Sequence, residues 1–199
     1  MGNESMQKTE REQTEVFQPT PEMQSKLDTL HTVSKRLERA GIDYVVGGSG
    51  MLLGLGLTDS VRDWDLMTEA PEAEVRAALG DLEVTVDGGS SELYGSGSKL
   101  TVEGLDPEVE VIIGFAIRSE HGICRLPAWT GGVRRGLRIA SPEVWFAAYA
   151  LMGRGEKAAL LEVYLTEHGA DAAALARLRQ EPLPQELAQR LDRLPRVEN

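Results

Sequence analysis

The run Tyr44-Val45-Val46-Gly47-Gly48-Ser49-Gly50, followed by Arg62-Asp63-Trp64-Asp65-Leu66, decides how this chain is read. Ile42 to Val46 is a short apolar segment that ends on two glycines, the pattern of a buried strand entering a tight turn. Met51-Leu52-Leu53-Gly54-Leu55-Gly56-Leu57 is apolar on every side and predicts a short buried helix. Trp64 to Met67 predicts a second strand. Side chains two apart on a strand share a face, so Asp63 and Asp65 project together while Trp64 turns to the core. Adjacent carboxylates repel unless a cation sits between them. Hard cations such as Mg2+ are commonly held by one or two carboxylates plus substrate phosphates. A Gly-Gly-Ser turn between strand and helix leaves backbone N–H groups and a hydroxyl free to hold such a phosphate.

Three other glycine-rich motifs fail on the letters. A P-loop ends in Gly-Lys-Ser/Thr, and no Lys follows these glycines. A dinucleotide fingerprint through Gly48 and Gly50 needs glycine at position 53, where Leu53 stands. A nucleophile elbow around Ser49 needs glycine at 51, where Met51 stands.

The arrangement of Gly47-Gly48-Ser49, short apolar helix and Asp63-Trp64-Asp65 resembles the signature of the polymerase-β-like nucleotidyltransferases. That resemblance implies an α+β fold, a mixed sheet flanked by helices with a C-terminal helical bundle. It also implies a Mg2+- or Mn2+-dependent enzyme that moves a nucleotide from an NTP to a hydroxyl acceptor: a small molecule, a tRNA end or a protein. The family carries a third carboxylate on a later strand. Glu108-Val109-Glu110-Val111-Ile112-Ile113 offers that strand, with Glu110 the candidate and Glu108, on the same face, the alternative. By resemblance, Asp63, Asp65 and Glu110 are the metal-holding catalytic set. Gly47, Gly48 and Ser49 hold the nucleotide phosphates, with Arg62, Lys157 and Arg154 as further phosphate partners.

Gly136 to Glu143 followed by an apolar helix also looks like the strand, Ser-Pro-Glu, helix segment of small bacterial nucleotidyltransferases that include the AbiE-type toxins. This implies a toxin-type enzyme with an antitoxin-like protein partner. Those toxins continue with a Lys on the helix and a later Lys-Asp pair, whereas here Trp145-Phe146-Ala147-Ala148-Tyr149 and Lys157-Ala158 occupy the region. The alternative is a catalytically inactive member of the fold that binds a nucleotide or a partner.

Residues 1–19 are polar and read as a disordered tail, 20–140 as the catalytic core and 141–199 as a helical region. Thr20-Pro21-Glu22 starts a helix, Leu27, Leu30, Val33 and Leu37 set its apolar face, and Gly41 stops it. Residues 88–98 predict a flexible hairpin loop, closure of Tyr94 over a nucleotide being the alternative; 109–117 predict one strand, 118–133 irregular chain and 134–139 a last strand.

Of 199 residues, 32 are Asp or Glu and 21 Lys or Arg, a net charge of -11 that argues against a broad nucleic-acid-coating surface. Five arginines at 118, 125, 134, 135 and 138 form the one basic stretch, read either as a guide for a triphosphate or RNA end or as a merely basic surface. The single cysteine, Cys124, excludes a disulfide framework and a Cys-rich zinc site. No apolar run is long enough for a bilayer, and a cytoplasmic protein is expected.

Overall fold

A computed structural model describes residues 17–88 and 91–197. Helix α1 (Pro21–Arg39) starts as its sequence dictates: Thr20 Oγ1 accepts from the Met23 amide at 3.2 Å and Pro21 occupies the first turn. Its buried side Met23, Leu27, Leu30, Val33 and Leu37 covers the sheet. Strand β1 (Val45–Val46) leads through Gly47 into α2 (Gly48–Leu55), and the chain returns as β2 (Trp64–Thr68). Helix α3 (Glu72–Leu79) then precedes β3 (Val84–Asp87), β4 (Ser98–Val102) and β5 (Val109–Ile113). A hairpin of β6 (Ala116–Ser119) and β7 (Gly122–Arg125) follows, then β8 (Thr130–Arg134) and β9 (Leu137–Ala140).

The main sheet has seven strands in the order β3-β4-β5-β2-β1-β9-β8. The pairs β2/β5 and β1/β9 are parallel, and the other pairs antiparallel. The central strands are buried on both faces and accordingly apolar. In the β2/β5 register Trp64 faces Val109 and Asp65 faces Glu110. That pairing puts two residues 45 apart in sequence side by side on one face.

Ser141 caps α4 (Pro142–Leu151), its Oγ accepting from the Val144 amide at 3.3 Å, and α5 (Gly155–His168) packs on α4. The chain closes with β10 (Ala170–Asp171), α6 (Ala172–Leu178), α7 (Gln185–Arg193) and β11 (Arg196–Val197), which pairs in parallel with β10. Ala170 to Val197 therefore hold a strand pair inside the region expected to be helical. Buried side chains from Met23 to Leu194 form one cluster, with Trp64, Phe146 and Tyr149 among its largest fully buried members. Among the described residues no helix is long and apolar enough to cross a membrane.

Three expectations along residues 109–139 are corrected. The strand over 109–117 is cut in two, because Gly114 at φ +58° adopts the left-handed conformation and turns the chain out of the sheet. The segment 118–133 is not irregular but carries the rest of β6, all of β7 and most of β8; the strand expected over 134–139 is the tip and second arm of a hairpin. Arg135 and Gly136, both at positive φ, make its turn. Phe17, placed in the tail by its sequence, is half-buried with the Arg135 guanidinium 4.7 Å over its ring. The rest of the expected tail, residues 1–16, lies outside the described residues.

Candidate active site

One cavity of about 370 Å³ gathers the residues singled out by their motifs. Gly48, Ser49, Arg62, Asp63, Asp65, Glu110, Arg154 and Lys157 all line it. Its floor is the β1–α2 turn. The Gly47 amide donates to the Asp65 carbonyl at 2.8 Å and Ser49 Oγ to the Asp63 carbonyl at 3.4 Å, tying this turn to the start of β2. Gly47 itself packs on Trp145, whose ring a Cβ at that position would strike. Gly48 sits at φ +53° against the Asp65 carboxylate, and a Cβ there would overlap Oδ2. Both glycines are thus required by close approach, and the first amides of α2, which have no partner within the helix, open onto the same place.

Asp63 and Asp65 line the cavity together, as the spacing of two predicts, and Trp64 between them is fully buried. Neither carboxylate has a hydrogen-bond or ion-pair partner among the described residues. The Asp65 carboxyl is pushed up to about 7, first by burial and then by the negative charges of Asp63 and Glu110. Glu110 has different surroundings. Lys99 Nζ on β4 lies 2.5 Å from its Oε1, and this bond holds the Lys99 ammonium above its usual range. Glu108 is exposed and does not line the cavity, so of the two candidates only Glu110 belongs to the site.

The opposite wall is basic. Arg62, Arg154 and Lys157 have no ion-pair partner among the described residues. Burial and the neighbouring Arg154 and Arg62 push the Lys157 ammonium below its ordinary range, the mark of cations crowded without an anion between them. A third wall, which the motifs did not indicate beyond Tyr94, comes from β3, β4 and the chain between them (Asp87, Ser91, Ser96, Lys99), from the β5–β6 turn (Phe115) and from α4 and its C-cap (Trp145, Met152). Phe115 and Trp145 stack at 5.5 Å, and the Tyr94 hydroxyl donates to Met152 Sδ at 3.5 Å. Lys99 had a readable signal, since on β4 it stands opposite Ile112, two residues beyond Glu110 on β5.

The five arginines at 118, 125, 134, 135 and 138 do not line this cavity. Arg138 reaches Asp43 at 3.3 Å and Arg135 the Leu53 carbonyl at 3.2 Å, so these two serve the fold rather than the site.

Do these residues suit a divalent cation? Among the described residues no group of three or more His, Cys, Asp or Glu could hold one. What exists is a pair of unpartnered carboxylates, one carrying repulsion that a cation would relieve, across from unpaired cations suited to phosphate. That donor set fits Mg2+ or Mn2+, which keep waters and take substrate phosphates beside one or two carboxylates.

No protein-family model matches the chain, and no curated protein matches it. Solved structures do. The antibiotic-resistance factor ANT(2″)-Ia, determined in solution, superposes with a TM-score of 0.50 at 18% identity over 79% of this chain and 90% of that one. ANT(2″)-Ia in complex with adenylyl-2″-tobramycin gives 0.50 at 17% identity over 79% and 98%. A nucleotidyltransferase-like protein of Thermotoga maritima gives 0.49 at 25% identity over 75% and 96%. The chain shares the fold of ANT(2″)-Ia, a mixed sheet flanked by helices.

Proposed function

We propose that the chain is a metal-dependent nucleotidyltransferase that moves a nucleoside monophosphate from an NTP to a hydroxyl acceptor. One observation carries this reading: two unpartnered carboxylates, Asp63 and Asp65, face three unpaired cations, Arg62, Arg154 and Lys157, across one cavity whose floor is a free helix start. In this reading Asp63 and Asp65 hold Mg2+ or Mn2+, which supplies charge neutralisation of the phosphates when bound. The amides of Gly48 and Ser49 and the side chains of Arg62, Arg154 and Lys157 hold the β- and γ-phosphates. Tyr94, Phe115 and Trp145 offer aromatic surface for a base.

The acceptor oxygen attacks the α-phosphorus, the bond from that phosphorus to the β-bridging oxygen breaks, and pyrophosphate leaves. The hydroxyl proton passes to Glu110, whose Oε1 accepts from Lys99 Nζ. With Lys99 bonded to it, Glu110 serves here as proton acceptor and not as third metal ligand. The acceptor is a small molecule, a tRNA end or a protein, and ANT(2″)-Ia, seen with an adenylylated tobramycin, makes an aminoglycoside the first to test. A toxin role with an antitoxin-like partner is the finer form suggested by Ser141-Pro142-Glu143 and its helix.

The test is incubation with Mg2+, α-labelled NTPs and pools of aminoglycosides, tRNA and protein. Label should reach one pool, and Asp63→Ala and Asp65→Ala should each abolish it; failure to bind any NTP would sink the proposal. A second reading, a nucleotide-binding module without transfer, is favoured by the Glu110–Lys99 ion pair, and NTP binding with no transfer to any pool would select it.

A further inference from the structure

Tyr149 on α4 is fully buried, and its hydroxyl is the one buried side-chain nitrogen or oxygen without a hydrogen-bond partner among the described residues. Leaving such a group unsatisfied costs about 1–3 kcal/mol, and a phenylalanine would pack equally well. Core packing therefore does not account for the hydroxyl. The ring is held in place: it packs tilted on Trp145 with centroids 5.1 Å apart, and Trp145 Nε1 is bonded to Met67 Sδ at 3.2 Å. Lys157 Nζ sits 5.2 Å from the centre of the ring. The charged groups that act on the hydroxyl are, strongest first, Asp65, Arg154, Asp63 and Arg62, and all four line the candidate active site.

Trp145 and Lys157, which both touch the Tyr149 ring, line the site, so a donor with no acceptor adjoins a site that holds a carboxylate, Asp65, with no donor. A carboxylate that takes a cation on one oxygen keeps lone pairs on the other, and metal-ligating groups are commonly oriented by hydrogen bonds from such outer partners. We propose that Tyr149 is a positioning residue of this site, its hydroxyl donating to the Asp65 carboxylate when that carboxylate holds a metal ion with bound nucleotide. The proposal rests on the nucleotidyltransferase reading and names a residue that reading does not use.

The test compares Tyr149→Phe with the wild-type protein in two measurements that need no turnover. Thermal melting without ligand should show the variant equally stable or more so. Mn2+ binding, followed by electron paramagnetic resonance with α,β-methylene NTPs present, should weaken in the variant by roughly 10–100-fold. Affinity for the nucleotides without metal should not change. A lower melting temperature without ligand would make the hydroxyl structural and overturn the proposal. So would an unchanged Mn2+ affinity, or an equal loss of nucleotide binding in the absence of metal, which would place the bond on phosphate. If the wild-type protein binds neither Mn2+ nor nucleotide, the nucleotidyltransferase reading itself fails and this inference falls with it.

Discussion

Asp65 and Glu110 sit opposite each other in the β2/β5 register, yet the fold treats them in opposite ways. Glu110 is given a cation of its own, Lys99, at 2.5 Å. Asp65 is given none, is pressed against Gly48, and is surrounded by burial and like charge that push its carboxyl to about 7. A folded protein tolerates such an arrangement at a site whose ligand later supplies the missing charge. The comparison separates two environments: one carboxylate has no cation bonded to it, the other is paired with a lysine of the same sheet.

Replacing Asp65 tests this division most severely. Asp65→Asn should remove nucleotide transfer by more than the roughly 100-fold that outer-shell changes cost, because it deletes a proposed ligand and not its support. The same change removes stored repulsion, so the protein without ligand should melt at the same temperature or higher. Activity and stability would move in opposite directions. A variant that lost stability along with activity would show that Asp65 is a structural acid.

The Lys99–Glu110 pair should answer differently. Lys99→Met leaves Glu110 half-buried beside Asp65 with no cation, which costs roughly 1 kcal/mol, between the values for exposed and buried pairs. Stability and transfer should fall together, transfer by about 10-fold, since general-base contributions run from about 100-fold upward and the base itself stays while only its hydrogen-bond partner is lost. Denaturant melts and steady-state rates on the same samples check it. Unchanged rates would remove Glu110 from the proton path.

The pH dependence sharpens the contrast at Asp65. Its folded-state pKa of about 7 lies above the ordinary 3.8, so the folded chain holds the proton more tightly than the unfolded chain. The stability that proton contributes is fully present below about pH 4 and is lost as the pH rises through 7, at up to about 1.4 kcal/mol per pH unit. The difference in melting temperature between Asp65→Asn and wild type should therefore widen from pH 4 to pH 7. Metal binding needs the ionised form, so affinity for Mg2+ with nucleotide should rise over the same interval. A constant difference between the two proteins would contradict the environment drawn for Asp65.

The floor and two walls of this site were legible in the letters, and one wall was not. Gly47-Gly48-Ser49 and Asp63-Trp64-Asp65 are local patterns, each set by a strand end and a turn, and local geometry brings Gly48, Ser49, Asp63 and Asp65 to the cavity while Gly47 packs behind it and Trp64 enters the core. Glu110 came from the third carboxylate that the resemblance implies on a later strand, and Arg62, Arg154 and Lys157 from their charge within a resembling segment. Phe115, Trp145 and Tyr149 join the site only through turns and helix packing that no spacing in the sequence encodes, while Lys99 arrives by the pairing of the neighbouring strands β4 and β5. The same limit explains the misread 109–139 segment. There one left-handed glycine and a turn built on Arg135 divide what alternation alone presents as longer elements.

The smallest expected effect lies next door to the largest. Glu108 and Glu110 are two apart and would share a face of an unbroken strand, which is why both were candidates. The strand begins at Val109, however, so Glu108 is left at its edge, exposed, with only its backbone engaged: its carbonyl accepts from the Trp64 amide at 2.9 Å. A substitution confined to its side chain spares that bond. Glu108→Gln should leave transfer and melting temperature close to wild type, within the roughly 0.5 kcal/mol of ordinary surface changes. Its one influence on the site is a weak attraction for Lys99, smaller than those of Glu110 and Asp87. A large loss of transfer in Glu108→Gln would mean that β5 shifts register when nucleotide binds, bringing the other carboxylate into the cavity.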